Sequence, residues 1–391
     1  MVERTELDLL KCYKTLKNPV LERYKADGKK IVGYYCVNMP EELLTAADIY
    51  PYRIRGTENR DFMKADAILS RFNCTFVRST LNLILNNQYQ FLDGLLLGNT
   101  CDHIRRIYDI LNLKAEELDL EKLPLFFISL PHEFTIQAWN WVKEEILLVK
   151  NAIEERYGVN ITDEMLRKAI KIHKKNCELM EKLAEFRSYP NPILTGTDYF
   201  KISVSNNSLP KEVSNEALER FIKSRKGEAD AFTIKPRARL MLVGSSSDNP
   251  EFIKILEHQG AMITSDSLCS GKRAYISDLF ADVDGITING PIDELVSKVL
   301  LRTYCPRMMN GYKSRFNYLK EEIEQNNIDG VILQRIEFCD LHGVENGMLQ
   351  HDLMDKLNIP SLNIDREYFL GDTGRLRTRV EAFLEKINRN I

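Results

Sequence analysis

The chain has 391 residues, of which 44% are hydrophobic and 28% charged, with a net charge of −3 at neutral pH. That length exceeds what one hydrophobic core usually serves, so two domains are expected, with the composition of a soluble globular protein. The charge balance gives no broad attraction for nucleic acid or anionic membrane, no apolar run approaches the ~20 residues a membrane-spanning helix needs, and a charged N-terminal stretch without an apolar h-region points to the cytoplasm.

Residues 1–30 read as largely helical, with Leu9, Cys12, Tyr13 and Leu16 at helical spacing, which places Cys12 in the core. A strand over Lys30–Cys36 leads into Met39-Pro-Glu-Glu-Leu-Leu. There Glu41 and Glu42 suit the positive end of a starting helix, and Cys36 occupies the strand-to-helix turn. A second short strand covers about Tyr52–Arg55, and Cys74 precedes a helix through Leu81, Leu83, Ile84 and Leu85. The segment Asp93-Gly-Leu-Leu-Leu-Gly-Asn-Thr-Cys-Asp102 is too short for a helix and is bounded by turn residues. It reads as a buried parallel strand with Cys101 just past its C-terminal end, where open α/β sheets bind ligands. A helix around Ile104–Leu111 and another buried strand, Leu123–Leu130, complete a βαβ alternation that predicts a parallel sheet.

Residues 132–232 break the alternation. A long helix with Trp139, Trp141, Ile146 and Ile153 stops near Tyr157-Gly158, and Thr162 caps the next helix. That helix holds Cys177 among Lys and Glu residues, as a structural thiol, and helix continues to about Lys226. A second α/β unit follows. It has strands at Arg239–Gly244, Ala261–Thr264, from Asp329 towards Cys339, and at Ile359–Asp365. Pro250 lies early in a helix and Pro291 at a turn. Thr303-Tyr-Cys305-Pro comes before a helix through Tyr318, Leu319 and Ile323, and a last helix covers Arg375–Ile387. The expected organisation is an N-terminal α/β domain (1–131), a helical connecting region (132–232) and a C-terminal α/β domain (233–391), each α/β domain a doubly wound parallel sheet.

The two α/β units repeat one another. Asp329-Gly-Val-Ile-Leu-Gln-Arg-Ile-Glu-Phe-Cys339-Asp340 echoes the stretch from Asp93 to Asp102, and Cys305 precedes its helix as Cys74 precedes its own. Two units of this order would line one inter-domain cleft with Cys36, Cys74, Cys101, Cys269, Cys305 and Cys339. No C-x-x-C is present, which argues against a zinc ribbon and a thioredoxin-type motif. The residues themselves leave three readings of the six: soft ligands of a shared metal site, separate buried thiols, or redox thiols. No Gly-x-Gly-x-x-Gly or Walker loop appears, so the chain is not expected to bind a dinucleotide or hydrolyse ATP itself. His342 and His351 could line the site, Ser245–Ser247 could touch a ligand at a strand end, and Arg375–Arg379 reads as a solvated face or a phosphate-binding run.

Gly33-Tyr-Tyr-Cys36, Pro40-Glu-Glu-Leu-Leu-Thr-Ala-Ala47, Asn99-Thr-Cys-Asp102, Phe338-Cys-Asp340 and Arg377-Thr-Arg-Val-Glu-Ala-Phe-Leu-Glu385 together resemble the 2-hydroxyacyl-CoA dehydratase family. That family includes benzoyl-CoA reductase cluster subunits and double-cubane cluster proteins, and the resemblance spans nearly the whole chain. It implies two α/β domains clamping an iron–sulfur cluster, with Cys74, Cys101 and Cys339 as the ligands of a [4Fe–4S] unit. Cys36, Cys269 in Ser267-Leu-Cys-Ser-Gly-Lys-Arg273, and Cys305-Pro306 match the further cysteines of the double-cubane branch and imply an [8Fe–9S] cluster. The resemblance also implies an ATP-hydrolysing iron–sulfur activator as electron donor, pairing with itself or a related subunit, and a small-molecule or acyl-CoA substrate. Two alternatives stay beside it: a dehydratase or benzoyl-CoA reductase subunit with one [4Fe–4S] cluster, and a non-catalytic metal-stabilised scaffold.

Overall fold

The computed structural model describes residues 7–57, 59–118, 120, 123–227, 235–276, 286–302 and 304–390. The expected boundary at 232/233, and Thr303, lie outside the described residues. The N-terminal stretch is not one helix: Cys12–Lys14 form a single 3-10 turn, and α1 (Pro19–Ala26) starts afresh at a proline. Proline tolerates only the first turn of a helix, and the Asn18 side chain caps this one by accepting from Leu21 N–H. Cys12 is nonetheless buried, as expected.

The first α/β unit runs β1 (Ile31–Tyr34), α2 (Glu42–Ala46), β2 (Tyr50–Arg53), α3 (Met63–Asp66), α4 (Thr75–Leu85), β3 (Gly94–Gly98), α5 (Asp102–Leu113) and β4 (Leu125–Ile128). All pairings are parallel, in the order β2-β1-β3-β4. The strand from the Asp93-Gly segment is central and wholly buried. β4, expected to be buried, is half-buried with alternating exposure because it forms the sheet's edge.

Four long helices follow: α6 (Ile136–Tyr157), α7 (Asp163–Ser188), α8 (Gly196–Asn206) and α9 (Lys211–Gly227). Thr162 caps α7 through Met165 N–H, and Gly158, left-handed at φ 66°, closes α6. The second unit comprises β5 (Ala238–Gly244), α10 (Pro250–Glu257), β6 (Ala261–Ser267), α11 (Pro291–Leu300), α12 (Tyr312–Gln325), β7 (Gly330–Ile336), α13 (Asp340–Leu357), β8 (Ser361–Arg366) and α14 (Thr373–Asn390). Its sheet is parallel in the order β6-β5-β7-β8, the same winding as the first. Pro291 opens α11 and does not mark a turn.

Alternate strand residues face opposite sides of each sheet, and helices cover both sides. Leu95 and Leu97 of β3 pack with α4, α5, α7 and α9, whereas Leu96 packs with Val142 and Ile146 of α6. The same second core takes Leu295, Val296, Val299 and Leu300 of α11, so a helix from the second half of the chain packs on the first sheet. The second sheet is covered by α8, α10 and α14 on one face and by α12 and α13 on the other. Among the described residues no helix is long and apolar enough to cross a membrane.

The long helix α7 is pinned to the second sheet by a buried ion pair. Arg187 Nη2 lies 3.0 Å from Asp266 Oδ2 with both side chains 1% exposed, and the guanidinium sits 3.6 Å over the Tyr199 ring. Removing one member of such a pair strands the other charge in the interior. Arg187→Ala is expected to cost about 3–5 kcal/mol in denaturant unfolding, with part of that recovered when Asp266→Ala is added.

Candidate metal centre

The topology places the thiols. In each sheet the chain runs outward from its first strand and then returns to the other side, so the reversal lies between β1 and β3 and between β5 and β7. Ligand crevices form beyond the C-terminal strand ends at such reversals. Cys36 follows β1, Cys101 follows β3 and Cys339 follows β7, while Cys269 follows β6 at the neighbouring strand end.

Three of the cysteines share one local device. Cys74, Cys101 and Cys339 are the N-cap residues of α4, α5 and α13. Cys101 Sγ accepts from Ile104 N–H at 3.4 Å. Amides of Phe76 and Val77 favour the charged form of Cys74, and that of His342 does so for Cys339, at longer range. Helix N-termini favour negative charge, so each of these sulfurs sits where a thiolate is supported. Burial nonetheless dominates, pushing Cys74 up to about 12 and Cys339 up to about 11, and raising Cys101 well above the ordinary thiol range. The three also repel one another as thiolates: Cys74 feels Cys339, and Cys101 feels both.

Cys36, Cys269 and Cys305 are held differently. Arg53, Arg273, Arg302 and Arg307 are all buried around them. The charge of Arg53 acts on Cys269 and Cys36, that of Arg273 on Cys305 and Cys269, and that of Arg307 on Cys305 and Cys36, so every pair in this set shares a guanidinium. Burial works to raise Cys269, but Arg53, Arg273 and a hydrogen bond with Ser246 bring it below its ordinary value. Burial raises Cys305 despite Arg273. Asn38 Nδ2 donates to Cys36 Sγ at 3.3 Å. The two sets adjoin, since Cys101 also feels Cys36 and Cys339 feels Cys305 and Cys269. Cys12 and Cys177 stand apart, with Asp8 and Arg55 near the first and Lys298 and Arg302 near the second.

Buried thiols that repel one another stay protonated until a cation binds, and buried guanidiniums require negative charge opposite them. The Nε atoms of Arg273, Arg302 and Arg307 are buried without a hydrogen-bond partner. A polynuclear, thiolate-ligated, net-anionic group satisfies both demands. Among the described residues no three Cys, His, Asp or Glu side chains close on a single point.

The cleft is closed by contacts between the two units. Tyr368, after β8, donates its backbone N–H to Thr75 Oγ1 at 2.8 Å and accepts from Gly56 N–H at 3.1 Å on its hydroxyl, which also bonds Asp248. His103 accepts from Cys74 N–H at 3.2 Å and lies 3.7 Å from Asp340. Phe72 meets Phe338 edge-on at 5.7 Å, beside Cys74 and Cys339. Arg53 Nη1 donates to Cys269 O at 2.5 Å, and Arg307 Nη1 to Pro131 O at 2.7 Å.

The other sequence candidates separate clearly. His342 is buried, and burial with Arg273 and Arg315 holds it well below the usual imidazole range. His351 is exposed beside Asp352 and Asp355. Ser245 accepts from Ile336 N–H and Ser247 from Arg366, so only Ser246 reaches a thiol. Arg375 pairs with Asp372, and Arg379 bonds Asn363 O on an exposed face. Glu41 and Glu42 open α2 as expected, Glu41 at the N-cap and Glu42 as its first residue, and they also enter a buried network with His173, Lys211 and Lys298. The adjacent carboxylates were the only sequence signal, and their partners are remote.

The family profile described as 2-hydroxyglutaryl-CoA dehydratase, D-component, matches residues 36–387. The (R)-phenyllactyl-CoA dehydratase beta subunit of Clostridium sporogenes is 25% identical over 374 residues, spanning 95% of each chain. The (R)-2-hydroxyglutaryl-CoA dehydratase subunit beta of Acidaminococcus fermentans is 23% identical, over 94% of this chain and 95% of its own. A benzoyl-CoA reductase subunit of Thauera aromatica is 24% identical, over 92% of this chain and 91% of its own.

Tyr368→Phe removes the hydroxyl shared by Asp248 and Gly56 while keeping the ring. It is expected to lower stability by about 1–3 kcal/mol and to speed alkylation of the cleft thiols in metal-free protein. Thermal unfolding and mass-spectrometric thiol labelling check this, and an unchanged labelling rate would show that the hydroxyl does not hold the cleft shut.

Proposed function

The chain belongs to the 2-hydroxyglutaryl-CoA dehydratase D-component family, and we propose that it is an iron–sulfur oxidoreductase subunit holding a double-cubane [8Fe–9S] cluster. It would receive low-potential electrons from an ATP-hydrolysing iron–sulfur protein and deliver them to a small or activated substrate. The observation that supports this reading is topological: Cys36, Cys101 and Cys339 follow the strands at the reversal points of the two sheets, Cys269 follows the neighbouring strand, and Cys74, Cys101 and Cys339 are helix N-caps.

Cys74, Cys101 and Cys339 would hold one cubane and Cys36, Cys269 and Cys305 the other. When bound, the cluster supplies one-electron reduction at low potential. The chain's own residues set its surroundings. The amides opening α4, α5 and α13 stabilise negative charge at the first triad. Arg53, Arg273, Arg302 and Arg307 balance it at the second. Tyr368, His103–Asp340 and the Phe72–Phe338 contact limit water in the cleft, and hydrogen bonding and burial around the sulfurs tune the potential. The relatives are named as subunits, so the chain is read as working with a second subunit, itself or a related one.

A second reading has one specific support. Cys74, Cys101 and Cys339 alone are both helix caps and mutually repelling, which suits a single [4Fe–4S] unit in a 2-hydroxyacyl-CoA dehydratase or benzoyl-CoA reductase subunit. Iron and acid-labile sulfide assays on anaerobically purified protein separate the readings: about eight irons per chain supports the double cubane, and about four the single cluster. Zinc, or no metal, would overturn both and leave a non-catalytic scaffold. Cys305→Ser is expected to lose roughly half the iron, while Cys12→Ser and Cys177→Ser keep it. Unchanged iron in Cys305→Ser would remove the second triad from the site.

A further inference from the structure

Beside the Cys36 turn lies a polar chamber that the thiol ligands do not use. Tyr34, Glu41, Arg53, His173, Lys211 and Arg302 line it, and its volume of about 20 Å³ leaves room for a single water. Three elements converge on His173 of α7. From α2, Glu41 Oε1 and Glu42 Oε1 each lie 3.8 Å from Nδ1, and Thr45 Oγ1 lies 2.9 Å from Nε2. From α11, Lys298 bonds Glu42. From the start of α9, Lys211 Nζ lies 3.9 Å from Glu41 Oε2. The Tyr34 hydroxyl bonds Glu41, and the second carboxylate oxygens of Glu41 and Glu42 are buried without hydrogen-bond partners.

The chamber and the thiol cleft share two walls. Arg53 lines the chamber and its charge acts on Cys36 and Cys269. Arg302 lines it too, and it interacts with Cys36 and with both glutamates. Arg53, Arg302, Lys211 and Lys298 outnumber Glu41 and Glu42, so the chamber is neutral only with negative charge in the cleft. Adding an electron there makes the cleft more negative, and the neighbouring group least costly to charge is an imidazole already facing two carboxylates. The 3.8 Å gaps are too long for hydrogen bonds and would shorten to ion pairs on protonation.

We propose that the chamber is the proton partner of the thiol-bound redox centre: an electron entering the centre is matched by a proton from water that binds His173 Nδ1, with Glu41 and Glu42 receiving the imidazolium and Thr45 fixing the ring. This rests on the reading that the six thiols hold an iron–sulfur centre. The electron comes from the ATP-hydrolysing donor, and the proton returns to water when the centre is reoxidised. His173 acts through the centre and touches neither sulfur nor substrate. Burial, with Lys298 and Lys211, holds the imidazole below its ordinary value despite the glutamates, so it begins neutral.

The sign follows from the added charge. Reduction raises the affinity of His173 for a proton, so between its oxidised-state and reduced-state values each electron brings a proton in. The midpoint potential should therefore fall as pH rises through that window and level off on either side. The test is an anaerobic redox titration of the iron-loaded full chain, followed by visible and paramagnetic resonance spectra, from about pH 5 to 8. Wild type should show the falling potential. His173→Gln should lose the slope and Thr45→Val should reduce it, both with wild-type iron content and spectra, which also report that the variants fold. A wild-type potential independent of pH, or an unchanged slope in both variants, overturns the proposal while leaving the iron–sulfur reading intact. Protein that carries no iron after anaerobic purification overturns that reading first, and this one with it.

Discussion

Four buried guanidiniums around Cys36, Cys269 and Cys305 set the terms for the centre of this molecule. Each buried charge costs several kcal/mol unless an opposite charge stands against it. Arg53, Arg273, Arg302 and Arg307 have some backbone carbonyl partners, as in Arg307 to Pro131 and Arg302 to Arg273, but carbonyls carry no net charge. The thiols could supply that charge, yet burial and mutual repulsion keep most of them protonated. The metal group proposed above, cationic at its ions and anionic overall, would meet both demands. The same constraint explains why the cysteines are distributed over both halves of the chain: a net-anionic group enclosed by two domains meets cations and helix N-termini from all sides.

The repeated winding is what makes such an enclosure possible. Both sheets reverse direction at the same place in their order, so each presents one crevice and the two crevices can be opposed. The intervening helices do more than connect. α7 reaches from the buried Arg187–Asp266 pair at the second sheet to the Glu41–Glu42 corner of the first, and α11 returns from the second half to complete the first core. These crossings make the relative position of the two crevices a consequence of core packing rather than of loop conformation. The cofactor proposed above, divided between two domains, would need that rigidity.

Much of this was legible in the chain because the signals were local. The Asp-Gly strands, with apolar runs too short for helices, became the central strands β3 and β7, and their terminal Cys-Asp pairs became helix starts. The separation of Cys12 and Cys177 from the other six also followed from their helical surroundings. What was missed depended on distance or on a single backbone constraint. Pro19 divides an apolar pattern that periodicity alone reads as continuous. Lys298 meets Glu42 across 256 residues, and nothing in the local sequence of either names the other. The arginines are likewise unremarkable in sequence, since a lone arginine is usually solvated; only the fold shows that each pair of thiols in one triad shares one of them.

These electrostatics also bear on how the protein reaches its mature state. The ion pairs Glu42–Lys298 and Arg187–Asp266 and the core over α8, α10 and α14 do not involve the thiols, whereas Cys74 is a member of the first core and Cys101 and Cys339 pack against it. For the metal group proposed above, the excess of buried guanidinium charge would favour insertion, because binding would deprotonate the thiols and neutralise the cleft in one event. Contacts that cross the cleft, such as Tyr368 to Gly56 and Thr75, would have the opposite requirement if the proposed cluster enters by that route. The Tyr368 rim is also apolar, since its ring packs on Phe76 at 5.3 Å and joins the first core, while the packing of α11 on α6 lies on the far side of the first sheet.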